Sequence, residues 1–261
     1  MTMDRRSVLG LGGAIAAGVA LAPGLHLIAA PTAPDASSGT KKRWAMLIDT
    51  TRCTSDCTAC TKACRAENNV PLFGDPQRDI HWIRKVELKD LSLRKPAISL
   101  PVLCNHCENP PCVHVCPTEA SFIRYDGLVQ IDKHRCIGCR YCIIACPYKA
   151  RSLVFHKTKP PKDANPKVPI RAAGVVEKCT FCAHLIDQGK IPACVEACAK
   201  ADKGAMIFGD INDPNSEISQ RLLKEKSQTI RPDLGLKPHV HYQGIKEAIM
   251  LSEFSAIEGR S

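Results

Sequence analysis

The distribution of cysteines constrains this chain more than any other feature of its sequence. Sixteen cysteines occur in 261 residues and fall into four groups of four. The groups read CTSDCTACTKAC, CNHCENPPCVHVCP, CIGCRYCIIACP and CTFCAHLIDQGKIPACVEAC, and they start at positions 53, 104, 136 and 179. In every group the last cysteine follows the one before it after three intervening residues. Such a chain folds around metals, is cross-linked by disulfides or carries reactive thiols, and cysteine spacing distinguishes these cases.

The third group has the form C-x2-C-x2-C-x3-C-P that is typical of bacterial ferredoxins. In those proteins the fourth cysteine binds a different cluster from the first three. Cys136, Cys139 and Cys142 recur every third residue, so one tight loop can present all three thiolates to a compact core. The residues from Cys142 to Cys146 are expected to begin a helix that leads away from that core.

The N-terminal residues have the pattern of an export signal. Arg5 and Arg6 precede an apolar run and then small residues, which is typical of a twin-arginine signal over residues 1–30. Cleavage near Ala29 or retention of the segment as an anchor are both compatible with this pattern. Residues 31–43 are polar and rich in proline and serine, which indicates a linker. At the other end, SAIEGRS (255–261) contains IEGR, a sequence used in engineering as a protease site, and is interpreted as an engineered remnant.

Zinc and disulfides are the alternatives to iron–sulfur clusters. A structural zinc site usually pairs two separate CxxC motifs, whereas three of the groups here place three cysteines close together before a fourth. Export leads to an oxidising compartment, where disulfides form. However, proteins with a twin-arginine signal usually fold and take up cofactor in the cytoplasm, where thiols stay reduced. The spacing therefore favours four [4Fe-4S] clusters.

The formal charge of +10 suggests nucleic acid or an anionic membrane surface as a partner. That charge counts every cysteine as neutral. An oxidised [4Fe-4S] core with four thiolates carries about two negative charges, because ligation requires deprotonated sulfur. Four such sites would remove roughly eight charges. We therefore interpret the basic excess as an internal counter-charge and expect no nucleic-acid partner.

Short strands are predicted around the cysteine groups. Residues 118–136 contain apolar residues on both sides of Asp126-Gly127, which predicts a β-hairpin. A cysteine group, a hairpin and another cysteine group are the parts of a two-cluster ferredoxin. Further strands are predicted in RWAMLIDTT, RSLVFHK and GAMIFGD. They indicate a second ferredoxin-like unit, built from the first and fourth groups and enclosing the inner one.

The chain from about residue 43 to 242 resembles the four-cluster ferredoxin subunits of membrane-bound respiratory complexes. This family contains the electron-transfer subunits of dimethyl sulfoxide reductase and polysulfide reductase and the NrfC proteins. The matching motifs are IDTTRC, ACTKACRAENNVP, LCNHCENPPCVHVCPT, VQIDKHRCIGCRYCIIACPY, GVVEKCTFCAHLIDQGKIPACVEAC, FGDINDPNS and RPDLGLKPHVHY. Within the family, the export signal and first-group spacing most resemble the DsrO type of the DsrMKJOP complexes of sulfur metabolism. One departure is TSD in the first group, where two residues are commoner than three.

The resemblance implies an α+β fold of two nested bacterial-ferredoxin-like units that bind four [4Fe-4S] clusters. It implies residues 44–103 and 175–212 as the two parts of the outer unit, 104–156 as the inner unit, 157–174 as a basic proline-rich loop and 213–254 as a C-terminal helix and extended tail. The implied ligand sets are Cys53, Cys57, Cys60 and Cys198; Cys64, Cys179, Cys182 and Cys194; Cys104, Cys107, Cys112 and Cys146; and Cys116, Cys136, Cys139 and Cys142. Cys146 and Cys116 thus exchange between the two inner groups.

The resemblance also implies an electron-transfer subunit and no enzyme in its own right. Its partners would be an NrfD-type integral membrane subunit that handles quinone and a multihaem cytochrome c or a molybdopterin catalytic subunit. The location would be periplasmic, at the membrane. A small reductase with one labile cluster is the competing class, supported by the extra residue in CTSDC, and a purely structural role for the clusters is the third. No catalytic residue or small-molecule substrate is predicted.

Several residues outside the thiols allow two interpretations. Four histidines lie among the cysteines and are expected on the surface or close to the clusters, with hydrogen bonds to sulfur as their functional role: His106, His114, His134 and His184. The basic loop KTKPPKDANPKVP is either solvated or a surface for an acidic partner. SEISQRLLKEK predicts an amphipathic helix, which packs on the ferredoxin body or contacts a partner.

Overall fold

The computed structural model describes residues 42–75, 78–88, 98–157, 163–201 and 203–245. The predicted signal at 1–30, most of the predicted linker and the residues 255–261 lie outside the described residues. Strands and helices are both present, which confirms the mixed helix and strand content predicted from the sequence. None of the described helices is long and apolar enough to cross a lipid bilayer.

The strands of the described residues are β1 (Trp44–Asp49), β2 (Ile83–Leu88), β3 (Ile98–Leu103), β4 (Ser121–Ile123), β5 (Val129–Ile131), β6 (Ser152–Leu153), β7 (Val176–Glu177), β8 (Met206–Asp210) and β9 (Val240–Gln243). The helices are α1 (Ala59–Glu67), α2 (Pro111–His114), α3 (Tyr141–Ile144), α4 (Ala183–Ile186), α5 (Ala193–Lys200) and α6 (Glu217–Lys224). A 3-10 helix covers Pro232–Leu234.

A three-stranded sheet joins the two ends of the described chain. β1 lies at its centre, antiparallel to β8 and parallel to β9. The central residues of β1 are buried on both faces of the sheet, because Met46 and Ile48 face the main core while Ala45 and Leu47 face α6. This double burial explains why β1 is a continuous apolar run without alternation. The strands predicted on both sides of the outer cysteine groups are therefore confirmed, and they pair with each other.

Helix α6 covers the outer face of this sheet. Ser216 caps its first turn, with its hydroxyl accepting from the backbone of Ser219 at 3.3 Å. Ile218 is fully buried against Ala45 and Leu47. Gly209 in β8 permits this contact, because a Cβ there would lie 3.0 Å from Cγ2 of Ile218. The predicted amphipathic helix thus packs on the body of the protein.

Three two-stranded sheets complete the fold of the described residues. β4 and β5 form the predicted hairpin, with Ser121 opposite Ile131 and Ile123 opposite Val129. Its loop is Tyr125-Asp126-Gly127, with Gly127 at a φ of +82°, which is a three-residue hairpin loop. β2 pairs with β3, and β6 pairs with β7. The β2–β3 hairpin was not among the predicted elements.

Two pairs of helices pack against each other and carry cysteines. α1 contacts α5, and the much shorter α2 contacts α3. α1 contains Cys60 and Cys64, and α5 contains Cys194 and Cys198. Residues four positions apart lie on one face of a helix, so each of these helices presents two thiols to its partner.

Candidate metal centres

All sixteen cysteines lie within the described residues, and every one is a free thiol. Seven of the buried cysteines belong to the main core of the protein. The spacing of the groups brings thiols from distant parts of the chain together. We name the four resulting sets A to D, where A is Cys53, Cys57, Cys60 and Cys198; B is Cys64, Cys179, Cys182 and Cys194; C is Cys104, Cys107, Cys112 and Cys146; and D is Cys116, Cys136, Cys139 and Cys142.

Set A lines a cavity between the central sheet and the α1–α5 pair. All four of its cysteines are in the wall, together with Ile48, Pro101 and Met206. The empty volume is about 330 Å³, including the space at its mouth. Cys198 comes from α5 and the other three cysteines come from the first group, so this cavity joins the two ends of the outer unit.

Sets C and D line two further cavities, on either side of the α2–α3 pair. The four cysteines of set C form one cavity with Pro147, Tyr148 and Arg151. The four cysteines of set D form the other with Ile131 and Val176. Each has an empty volume of about 320 Å³. The structure therefore places Cys146 with the second cysteine group and Cys116 with the third. Whether these thiols bind clusters in those sets stays a prediction.

All four cysteines of set B are buried, and their contacts show that they lie close together. The side-chain amide of Asn68 lies 3.4 Å from Sγ of Cys182 and 4.0 Å from Sγ of Cys64. Burial raises the pKa of Cys194 well above its ordinary value, and the charges of Cys64, Cys179 and Cys182 raise it further. The four thiols are thus close enough to act on one another.

The four sets are neighbours in the order A, B, C, D. The charge of Cys60 in set A contributes to the raised pKa of Cys194 in set B. Burial raises the pKa of Cys179 in set B to about 12, and Cys104 of set C is the next largest cause. Arg151 interacts with Cys112 and Cys104 of set C and with Cys142 of set D. Successive sets therefore interact in the order A, B, C, D, and we call this succession of sets the row, with B and C in its middle.

Solvent exposure follows this order. All four cysteines of set B are buried, as are three of set C. Two cysteines of set A and three cysteines of set D are half-buried. The middle of the row is thus shielded from water, whereas both ends approach the surface.

Burial disfavours the thiolates that a metal centre requires. It raises the pKa of Cys60 and of Cys112 to about 11 each. Cys116 in set D differs: burial acts to raise its pKa, but hydrogen bonds from Ser121 and Thr118 lower it below the ordinary value. A cationic core would remove the cost of the buried thiolates, because metal binding releases the thiol protons. The donor sets and the three similar cavities fit [4Fe-4S] cores in this respect. Within the described residues, no three His, Cys, Asp or Glu side chains converge on a position for a single metal ion.

Among the described residues, hydrogen-bonding partners of the cysteine sulfurs include backbone amides, the amide of Asn68 and the hydroxyls of Thr118 and Ser99, which lie 3.7 Å from Sγ of Cys116 and 3.9 Å from Sγ of Cys53, respectively. Backbone N–H groups of Ser121, Phe181 and Val176 donate to Cys116, Cys179 and Cys136 at 3.5, 3.4 and 3.5 Å, respectively. The predicted role of histidines as sulfur donors has no support in the contacts of the described residues. Instead, Nδ1 of His106 accepts from the backbone of Val129 at 3.1 Å, and His184 contacts Glu67 at 2.8 Å.

The loop of set D depends on a glycine. Gly138 lies between Cys136 and Cys139 and has a backbone φ of +68°, which residues other than glycine rarely adopt. A Cβ at this position would lie 2.2 Å from the carbonyl oxygen of Gly174. The CIGC sequence therefore allows the third cysteine group to approach the chain before β7.

Three residues near the thiols were not found from the sequence. Asn68 follows α1, and Arg151 and Lys178 are buried charged residues beside the sets. Their signal in the sequence is only their position next to a cysteine group, at ACRAENN, CPYKAR and EKC. Because many surface residues have such positions, burial was needed to identify them.

Together, the small strands, the hairpin between cysteine groups and the four thiol sets define a ferredoxin-like iron–sulfur protein. Residues 97–162 match the family described as 4Fe-4S dicluster domain, and this region contains all cysteines of sets C and D.

Several characterised proteins are similar over most of the chain. The Hdr-like menaquinol oxidoreductase iron–sulfur subunit 1 of Archaeoglobus fulgidus is 47% identical over 92% of this chain and 97% of its own length. A tetrathionate reductase subunit from Salmonella typhimurium is 38% identical over 96% of this chain and 92% of its own length. The protein NrfC of Escherichia coli is 38% identical over 76% of this chain and 79% of its own length.

The chain belongs to the family of iron–sulfur electron-transfer subunits of oxidoreductase complexes. This confirms the family that the cysteine motifs predicted. It also confirms that the chain is an electron-transfer subunit and does not itself form the catalytic subunit of such a complex.

Proposed function

We propose that this chain conducts electrons along four [4Fe-4S] clusters held by sets A, B, C and D. The observation that carries the proposal is the single row of four thiol sets, buried in the middle and half-exposed at both ends. A buried middle prevents electrons from escaping to solvent, and exposed ends allow partners to approach. A purely structural role of the metal sites would not require four adjacent sets with half-exposed ends.

The protein supplies the thiolates and controls their surroundings. When bound, each cluster exchanges one electron at a potential set by charge, hydrogen bonds to sulfur and burial. The backbone amides of Ser121, Phe181 and Val176 and the side chain of Asn68 provide such hydrogen bonds. The sixteen thiols leave no obvious open position for substrate, which favours conduction over a reductase activity of the chain itself.

We propose that the set D end contacts an NrfD-type integral membrane subunit. Large apolar side chains lie exposed beside this set: Ile137 is 67% exposed, Tyr141 59% and Ile144 82%. Tyr141 and Ile144 are three positions apart on α3 and so share a face. Exposed apolar groups of this size are typical of a protein contact surface. We call these three residues the set D face. The set A end then accepts or delivers electrons at a multihaem cytochrome c or a molybdopterin catalytic subunit.

We assign the chain to a DsrO-like role in a periplasmic, membrane-associated complex of respiration or sulfur metabolism. Its 47% identity with a menaquinol oxidoreductase iron–sulfur subunit supports a quinone-linked complex. The alternative is the electron-transfer subunit of a molybdopterin reductase such as polysulfide or dimethyl sulfoxide reductase. Similarity to a tetrathionate reductase subunit over 96% of the chain favours that second role. Genes beside this one decide between them: a triheme cytochrome selects the first role and a molybdopterin subunit selects the second.

The periplasmic location rests on Arg5 and Arg6 and the apolar run after them. Changing both arginines to lysine is expected to leave the cofactor-loaded protein in the cytoplasm. Cell fractionation with detection of both the protein and its iron measures this. Normal periplasmic accumulation of the double variant would contradict the proposed export.

The conductor role is tested with anaerobically purified full-length protein. We expect about sixteen iron atoms and as many sulfides per chain, and reversible one-electron reductions followed by electron paramagnetic resonance. Addition of cyanide should leave the spectra unchanged, because no iron has an open position. Zinc in place of iron, or clusters that do not reduce reversibly, would refute the proposal. A cyanide-induced shift would favour the reductase alternative.

A further inference from the structure

Arg151 occupies the junction between sets C and D. It follows the third cysteine group and precedes β6, and its side chain is only 4% exposed. It lines the set C cavity beside Cys104 and Cys112. On its other side it interacts with Cys142 of set D. One guanidinium group thus lies between two sets of four thiols.

The guanidinium of Arg151 has few partners of its own. Its Nη1 donates to Oγ of Ser121 at 2.7 Å. Its Nε and Nη2 are buried and have no oxygen or nitrogen partner among the described residues. No carboxylate of the described residues pairs with the guanidinium of Arg151. Burial acts to lower the pKa of Arg151, but the charges of Cys112, Cys104 and Cys142 outweigh it and raise the pKa above its ordinary value. The groups beside Arg151 that can carry a counter-charge are therefore the cysteines of sets C and D, once they are deprotonated.

A second buried arginine beside the thiols is balanced differently. Arg171 interacts with Cys64 and Cys182 of set B. However, its Nη1 lies 3.4 Å from a carboxylate oxygen of Glu177, and its Nε donates to the backbone oxygen of Asn68 at 2.7 Å. The carboxylate of Glu177 compensates part of the charge of Arg171, because it also lies 3.1 Å from Nζ of Lys133. These two arginines therefore provide a natural comparison, one with a buried carboxylate partner and one without.

The physical consequence follows from the charge of a loaded set. A buried cation without a counter-charge is costly, so Arg151 requires negative charge nearby. Reduction of a bound cluster adds one further negative charge, and an unscreened cation in a low-dielectric site favours that state. A cation paired with a carboxylate has a weaker effect, because the two fields largely cancel.

We propose that Arg151 is the shared counter-ion of sets C and D and raises the reduction potentials of both their clusters. This inference rests on the proposed function, since it concerns clusters bound to those two sets. Arg151 acts on the clusters of sets C and D through its charge, and it is therefore a positioning residue. Its contact with Ser121, whose backbone also donates to Cys116, connects this charge to the loop of set D.

The test compares Arg151→Gln with Arg151→Lys in the full-length loaded protein. Potentials are measured by redox titration with electron paramagnetic resonance, and signals are assigned to sets with Cys139→Ser for D and Cys107→Ser for C. We expect Arg151→Gln to make reduction of both clusters at least tenfold less favourable, which is about 59 mV for a one-electron couple. Arg151→Lys retains the charge and should restore most of that change. Iron content is measured in parallel to establish loading.

Arg171→Gln is the matched control, since it also removes a buried guanidinium beside thiols. Its change in potential should be smaller and confined to set B. Unchanged potentials in a fully loaded Arg151→Gln protein would overturn the proposal. Equal changes in the Gln and Lys variants would also overturn it, because packing and not charge would then be responsible. If Arg151→Gln loses clusters but Arg151→Lys keeps them at nearly normal potentials, the charge role stands. A wild-type chain without iron–sulfur clusters would refute the proposed function together with this inference, whereas the preceding outcomes affect the inference alone.

Discussion

The outer helix pair α1–α5 and the inner helix pair α2–α3 use the same spacing of cysteines in different surroundings. In the outer pair, Cys60 and Cys64 face Cys198 and Cys194. The inner groups repeat this spacing, with cysteines four positions apart at 112 and 116 and again at 142 and 146. Each pair thereby contributes thiols to two adjacent sets, so one packing contact connects two centres.

The pairs differ in length and burial. α1 has nine residues and α5 has eight, and their four cysteines are all buried in the main core. α2 and α3 have four residues each, and Cys116 and Cys146 beyond them are half-buried. The same cysteine spacing therefore lies within the buried core in the outer pair, whereas the inner pair leaves thiols and the set D face close to solvent. Substitutions in the two pairs should consequently have different effects.

The largest difference is expected between Cys194→Ser and Cys139→Ser. Cys194 is 4% exposed between the outer helices, so losing its set should separate α1 from α5. We expect Cys194→Ser to lower the melting temperature by roughly 10 °C, corresponding to about 3 kcal/mol for a chain of this size. Cys139→Ser, at the half-exposed end, should lower it by less than about 5 °C. Thermal unfolding under anaerobic conditions measures both. Equal losses in the two variants would show that the outer and inner pairs do not differ in this way.

A smaller effect is expected at the set D face. Ile144→Glu places a charge where an apolar partner surface is expected and should weaken binding of the membrane subunit at least tenfold, or about 1.4 kcal/mol. Leu223→Glu is the matched control, because Leu223 on α6 is 85% exposed and Ile144 is 82% exposed. Titration of the chain onto the purified membrane subunit in detergent measures the affinity. If both glutamate variants bind equally well, the set D face is not the contact surface.

The smallest effect concerns the side-chain amide of Asn68 at the outer pair, which donates to the backbone oxygen of Cys64 at 3.0 Å as well as to sulfur. Asn68→Leu removes the amide that lies 3.4 Å from Sγ of Cys182. Because a hydrogen bond to sulfur stabilises the reduced state, the potential at set B should fall by roughly 40 mV, which corresponds to about 1 kcal/mol. Gln130→Leu is the control, since that amide donates to the backbone oxygen of Thr180 and not to sulfur. A potential that changes as much with Gln130→Leu as with Asn68→Leu would exclude a specific role for Asn68.

Local patterns were sufficient to predict part of this fold. Asp126-Gly127 between apolar residues predicted the β4–β5 hairpin, and the apolar runs around Leu47 and Ile207 predicted β1 and β8. Helix α6 was predicted from the amphipathic pattern of SEISQRLLKEK, which is a local signal. In each case the signal lies within about ten residues of the element.

Other elements depend on distant partners and have no local signal. β9 was predicted only as part of an extended tail, because its pairing requires the free edge of β1 nearly two hundred residues earlier. β2 and β3 were missed, since Lys85 and Pro101 weaken the apolar alternation that indicates a strand. The burial of Arg151 and Lys178 also arises from tertiary packing. The charge balance of the sequence predicted internal counter-charges, but it did not identify which basic residues are buried.

The position of β1 imposes an order on biosynthesis. The thiols of sets C and D all lie between residues 104 and 146, so a nascent chain can bring them together while later residues are still on the ribosome. Sets A and B require Cys198 and Cys194, and the edge of β1 is covered only by β9 at residues 240–243. The thiols of sets A and B can therefore come together only after Cys194 and Cys198 have been translated. A polypeptide that ends before Cys194 would keep all eight thiols of sets C and D, but it would lack one thiol of set A and one of set B.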